Sequence, residues 1–191
     1  MDADVLAAMA KWLNVPAVFG WLQLTARGEW RIRGERIANP AIRAFIDRNY
    51  AVDAHGRWYF QNGPQRVYVS LERAPWVYRI DADGQVGAHT GAVPSRCTGA
   101  GLLDDGRLLL ATDLGPGTVD DRDTAWCLRA VTDFTGLPLN EQGFERWTDG
   151  RDEAFIKPAL LQLAGDLMRI ERLRVADLEQ RFGFVADPRG P

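Results

Sequence analysis

Cysteine and histidine are scarce, with two of each in 191 residues: Cys97, Cys127, His55 and His89. So thin a cysteine supply excludes a disulfide scaffold and a multi-cysteine metal cluster. Basic excess is missing too. Formal net charge is -3, which speaks against DNA or RNA as the main partner. Long apolar runs are absent, since the longest, around residues 15–22, is far too short to cross a bilayer. The opening MDADVLAAMAKWL lacks the basic flank and apolar core of a signal peptide. Together these absences predict a reduced, cytoplasmic chain with no nucleic-acid and no membrane partner. A phosphate loop, dinucleotide fingerprint, HExxH, CxxC pair and nucleophile elbow are all lacking, so no catalytic residue and no metal ligand is assigned, and the cofactor is unknown.

What is present is ordinary globular material, 46% hydrophobic and 26% charged, with seven tryptophans. Residues 28–80 organise it. Trp30 and Ile32 alternate as in a short strand with one buried face. Asn39-Pro40 follows: Asn accepts an orphan backbone N–H, and Pro suits the first helical position. Ile42, Phe45 and Ile46 recur at helical spacing, which predicts a helix over 40–49. Strands are predicted over 57–61, 65–71 and 75–80, each bounded by Asn, Gly, Pro or Asp turns. In the middle strand Val67, Val69 and Leu71 take the face the helix must cover; Arg66, Tyr68 and Ser70 take the other.

On either side the pattern continues. A helix is predicted over 2–13, with Val5, Met9, Trp12 and Leu13 as its apolar side. A strand over 17–26 would pair with 30–33. Asp104-Asp105-Gly106 marks a hairpin, and strand pattern is read over 125–131. Residues 137–147 look helical. Residues 155–173 fit a helix or two strands around Ala164-Gly165-Asp166, with strands preferred. A short helix is predicted over 175–182. The glycine-rich text after Gly84 suggests an N-terminal subdomain over 1–84, a linker over 85–98 and a C-terminal subdomain over 99–185. The fold class is α+β, with mainly antiparallel sheets in two small subdomains, a helix packed on the N-terminal sheet and a barrel-like C-terminal half.

Gly28-x-Trp30, Gly34, Ile37, Pro40, Phe45, Gly56 with Trp58-Tyr59, Pro64-Gln65-Arg66-Val67, Val69, Leu71-Glu72 and Ala74-Pro75 form an ordered pattern. In it, residues 28–80 resemble a bacterial family known as domain of unknown function 1285. The resemblance implies two small α+β subdomains, a duplication, and a second half like pleckstrin-homology barrels. It also implies a groove where the halves meet, a nucleotide-like ligand and a regulatory, signalling role.

Three groups of side chains are candidates for chemistry. Arg66, Tyr68, Trp76, Tyr78 and Arg79 lie on adjacent predicted strands; on one open face they could stack a base and pair with a phosphate, or simply form cross-strand pairs. Asp113, Asp120, Asp121 and Asp123 could hold a divalent cation in a metal-assisted enzyme, or form a solvated loop. His89 and Cys97 could make a base and nucleophile, or be loop packing. The favoured reading is a non-enzymatic small-ligand-binding or regulatory module. The alternatives are a metal-assisted enzyme and a protein-interaction domain presenting Trp76 and Tyr78.

Overall fold

Asn39 starts the helix expected of it. Its side-chain oxygen accepts from Ala41 N at 2.9 Å and from Ile42 N at 3.4 Å, and Pro40 opens helix α2, Pro40–Arg48. The computed structural model describes residues 1–12, 14–139, 142, 159–163 and 165–190. The chain divides into two compact units: Met1–Val77 with His89–Ala92 and Ala176–Pro191, and Tyr78–Ala88 with Val93–Val175.

The first unit holds helix α1 (Ala3–Lys11) and strands β1 (Val18–Leu24), β2 (Trp30–Ile32), β3 (Glu35–Arg36), β4 (Tyr50–Val52), β5 (Trp58–Asn62) and β6 (Gln65–Leu71). Their order in the sheet is β3-β2-β1-β6-β5-β4. All neighbours are antiparallel except β1 and β6. The two short hairpins follow from turn chemistry: Asn62↔Gln65 closes around Gly63-Pro64, and Ile32↔Glu35 closes around Arg33-Gly34. Helix α2 lies on the sheet. Ile46 is buried, and the Phe45 ring meets Phe60 edge-on at 5.4 Å. Trp30 Nε1 donates to Asp47 at 2.7 Å, tying the helix to β2. Beside that bond Trp30, Tyr50, Trp58, Trp76 and His89 form a buried aromatic cluster with ring centroids 4.8–5.9 Å apart.

The opposite sheet face is covered by the C-terminal segment. Leu71 N donates to Ala186 O at 2.7 Å, Val185 N to Gly56 O at 2.9 Å, and Ser70 Oγ to Asp187 at 3.1 Å. That segment contains helix α4, Leu178–Phe182. On α1 only Val5 is buried; Trp12 points outward, so the expected apolar side is narrower than its spacing implied. Leu13 lies outside the described residues.

The second unit is an eight-stranded sheet, ordered β12-β13-β14-β9-β10-β11-β7-β8, which curls as a half-barrel. It comprises β7 (Trp76–Ile80, whose last three residues belong here), β8 (Val86–Ala88), β9 (Cys97–Leu103), β10 (Leu108–Thr112), β11 (Gly115–Val119), β12 (Val131–Thr132), β13 (Leu160–Leu163) and β14 (Asp166–Leu173). Strand β14 runs parallel to β9; β9, β10 and β11 form an antiparallel meander. The strands expected within 155–173 are present as the β13–β14 hairpin. The α+β class and barrel-like second half are therefore as expected.

One element departs. Residues 125–131, read as a strand, are mostly helix α3, Thr124–Ala130. The Asp120 carboxylate accepts from Arg122 N at 3.0 Å and starts a 3-10 turn at Asp121–Asp123 that runs straight into the helix. Ala125, Arg129 and Ala130 then favour continuation. The helix expected over 137–147 falls mostly outside the described residues; Pro138 forms an isolated bridge with Thr132.

Candidate functional site

A nine-residue helix is about 14 Å long, whereas six strands at about 4.8 Å spacing span about 24 Å. Helix α2 therefore cannot cover its sheet. The uncovered part, still inside the first unit, is a cavity of about 420 Å³. Leu22, Ile32, Phe60 and Val67 form the sheet wall, and Ile42, Phe45 and Ile46 the helix wall. Among the lining residues only Asn62 and Gln65 are polar. Its mouth is open: Trp21, Ile32 and Ile42 are 49%, 44% and 46% exposed. Ile42 was expected on the covered helix stripe; it instead edges this opening.

Trp21 reaches the cavity because β1 is irregular. Val18 pairs with Val67 and Leu22 with Val69, so four steps along β1 match two along β6. A regular strand sends consecutive side chains to opposite faces. The bulge breaks that rule, and Trp21 and Leu22 both line the cavity. Gly20, at φ +71° inside the bulge, supplies the backbone this needs. Phe19 turns to the other face and stacks on Tyr68 at 4.6 Å.

Arg33 does not line the cavity but packs on Trp21, which does. The Arg33-Gly34 turn has positive φ at both central residues, +49° and +87°, as a type I′ hairpin requires. Arg33 N donates to Trp21 O at 2.8 Å, and the guanidinium carbon lies 4.1 Å from the centre of the Trp21 ring. A cation over an indole face is worth about 0.5–1 kcal/mol at an exposed site.

The DUF2944 family model, described as a protein of unknown function (DUF2946), matches residues 1–189. The chain belongs to that family. The crystal structure of a DUF1285 family protein from Silicibacter pomeroyi DSS-3 is similar at TM-score 0.50 and 15% identity, over 90% of this chain and 89% of that one. A DUF1285 family protein from Shewanella baltica OS155 aligns at TM-score 0.41 and 18% identity, over 55% of this chain and 87% of that one. No curated protein matches. The first likeness extends to the fold as a whole the resemblance read in residues 28–80.

In this DUF2944 family member the five residues proposed for base and phosphate binding do not share an open face. Trp76 and Tyr78 are 8% and 0% exposed. Trp76 belongs to the aromatic cluster of the first unit. In the second unit the Tyr78 hydroxyl donates to Gly115 O at 2.9 Å and lies 2.7 Å from Thr112 Oγ1; burial drives its pKa up. Neither ring is available for the exposed patch of the interaction-domain reading. Arg79 is engaged by Asp123 at 2.6 and 3.2 Å. Tyr68 is buried, donating to Asp53 at 3.0 Å. Arg66, two residues before it on β6, stacks over Tyr59 at 4.7 Å. Arg66 and Tyr68 share one face of β6, and Trp76 and Tyr78 take alternate positions on β7 but are buried.

The acidic group is consumed by cations and amides. Asp113 accepts from Ser95 Oγ at 2.7 Å and Ser95 N at 3.0 Å. Asp120, fully buried, pairs with Arg122 at 2.5 and 2.8 Å. Its burial pushes the pKa up, but the Arg122 bonds outweigh that and hold it at about 2. Among the described residues no three of His, Cys, Asp and Glu gather as a metal site would require. His89 and Cys97 are each tuned against a base–nucleophile pair. Burial lowers His89 to about 3 and raises the Cys97 thiol. No helix among the described residues is long and apolar enough to cross a membrane.

Sequence reasoning missed the cavity. The one readable trace was Trp21, an extra large apolar residue beside Leu22 in a strand interrupted by Gly20.

Proposed function

We propose that this chain is a non-catalytic small-ligand-binding module, of a regulatory kind, whose ligand sits in the cavity between α2 and its sheet. One observation carries the reading: an open apolar cavity of about 420 Å³ rimmed by three half-exposed large side chains. Protein interiors close-pack, and unfilled apolar space costs stability. Pockets of a few hundred Å³ with apolar walls and few polar groups are the usual form of small-molecule sites. At about 30 Å³ per methylene-sized group, the space holds on the order of a dozen heavy atoms. The walls favour hydrocarbon or an aromatic ring over the sugar and phosphates of a nucleotide, the ligand the DUF1285 resemblance implies.

The test is titration with N-phenyl-1-naphthylamine, a neutral apolar dye that brightens out of water. The expected dissociation constant is on the order of 10–100 µM. Ile42→Trp should fill the mouth and abolish the signal; its site is half-exposed and tolerates bulk. No brightening with the unmodified chain, or an undiminished signal in Ile42→Trp, would remove this reading. Adenosine monophosphate in a thermal-shift series provides the nucleotide comparison.

A further inference from the structure

Arg33 is an odd choice for its place. The first central position of a type I′ turn needs positive φ, which Asn, Asp and Gly adopt readily and a long side chain does not. Yet Arg33 sits there at φ +49°. Its guanidinium covers one face of Trp21, a residue of the cavity rim, 4.1 Å from the ring centre. Neighbouring arginines are engaged: Arg31 and Arg36 both pair with Glu29, at 3.5 and 3.2 Å. Arg33 has no carboxylate partner among the described residues, and Glu35, two positions on, makes no ion pair with it. A fork of donors with no carboxylate partner among the described residues therefore stands one indole ring away from an apolar hole. Guanidinium groups match carboxylates in two-pronged geometry.

We propose that Arg33 selects the head group of the cavity's ligand, and that this ligand is an amphipathic carboxylate with a tail of about ten carbons. The tail lies against Trp21, Ile32 and Ile42; the carboxylate meets Arg33. This rests on the cavity being a ligand site.

The experiment measures displacement of N-phenyl-1-naphthylamine from the full chain by decanoate and by 1-decanol at pH 8, with wild type and Arg33→Asn. Asn suits the turn, so the variant keeps its fold, and its urea midpoint should be no lower than that of wild type. Arg33→Asn should weaken decanoate about tenfold while leaving decanol within twofold. Salt at 0.5 M should weaken decanoate alone. Unchanged decanoate affinity in the variant, or equal weakening of acid and alcohol, overturns the role of Arg33 and leaves the cavity intact as a site. Displacement by adenosine monophosphate but not by decanoate overturns the choice of a carboxylated tail. If the dye itself does not bind, the cavity reading falls and this one falls with it.

Discussion

Gly56 and Gly20 share a left-handed backbone, φ +75° and +71°, and differ in what surrounds them. A Cβ on Gly56 would meet Gly183 O at 2.1 Å and Phe184 Cα at 3.1 Å; one on Gly20 would meet nothing within 4 Å. Gly56 O also accepts from Val185 N, and Arg57 forms a parallel bridge with Val185. The C-terminal segment is thus seated directly on the 53–56 turn. Alanine at Gly20 carries only the cost of the backbone conformation, about 1 kcal/mol. Alanine at Gly56 carries that cost, about 1–3 kcal/mol of overpacking against main chain that cannot rotate away, and about 1 kcal/mol for the lost bond. The sum is about 3–5 kcal/mol. Urea unfolding of the full chain, followed by tryptophan fluorescence, measures both. Trp12, Trp21, Trp30, Trp58 and Trp76 lie in the first unit, so the signal is dominated by it. Gly56→Ala should also speed proteolysis after residue 183. Equal losses for the two variants would refute the claim that the terminal segment depends on this close approach.

Asn39→Ala removes the cap of α2 and should cost about 1 kcal/mol in the same urea assay, with Asn39→Ser recovering most of it; no change would mean the cap bonds contribute nothing. Burial holds His89 at about 3 against 6.5 for free imidazole. The unfolded chain therefore takes up a proton the folded one refuses, and the stabilisation is complete above pH 6.5 and drains as pH falls toward 3. Between pH 7 and 4.5 the first unit should lose about 2–3 kcal/mol, and His89→Phe should flatten the profile; a wild-type profile already flat over that range would contradict the buried neutral ring. Asp53 titrates in a lower window. Burial pushes its carboxyl up, but bonds from Arg57, His55 N and the Tyr68 hydroxyl bring it to about 2, so its contribution fades only as pH falls from about 4 toward 2.

Local chemistry made much of the first unit legible. Helix α2 could be read because its cap, its first-turn proline and its apolar spacing agree. The hairpins could be read because Asn62-Gly63 and Asp105-Gly106 require a turn. What failed was whatever depends on distant chain. The parallel pairings β1–β6 and β14–β9 join strands far apart in sequence, and no local pattern encodes them. Alternation correctly placed Arg66 and Tyr68 on one face of β6. It could not tell that residues 185–190 would close over that face, through contacts such as Ser70–Asp187, 117 positions apart. Likewise Trp76 and Tyr78 read as strand aromatics, and only packing decides whether such rings end inside or outside.

Exposed apolar side chains and a second register shift, at Ala111/Thr112, occur elsewhere in this chain, but among the described residues the positive φ of a non-glycine occurs at Arg33 alone. Away from the cavity its turns follow preference: Asp53 and Asp81 each accept from the backbone two residues on, at 2.9 and 3.0 Å, and each carbonyl receives the glycine N–H three residues on. At the cavity three exceptions coincide: a bulge that puts consecutive side chains on one face, an arginine with positive φ, and three large apolar groups half in water. Selection for stability alone would place Asn at 33 and a polar side chain at 21 or 42, since each change removes a cost and touches no buried bond. Natural chains tend to keep such costs where function needs them. The coincidence of all three around one cavity is why that opening, rather than the aromatic strands of β6 and β7, is where binding should be sought.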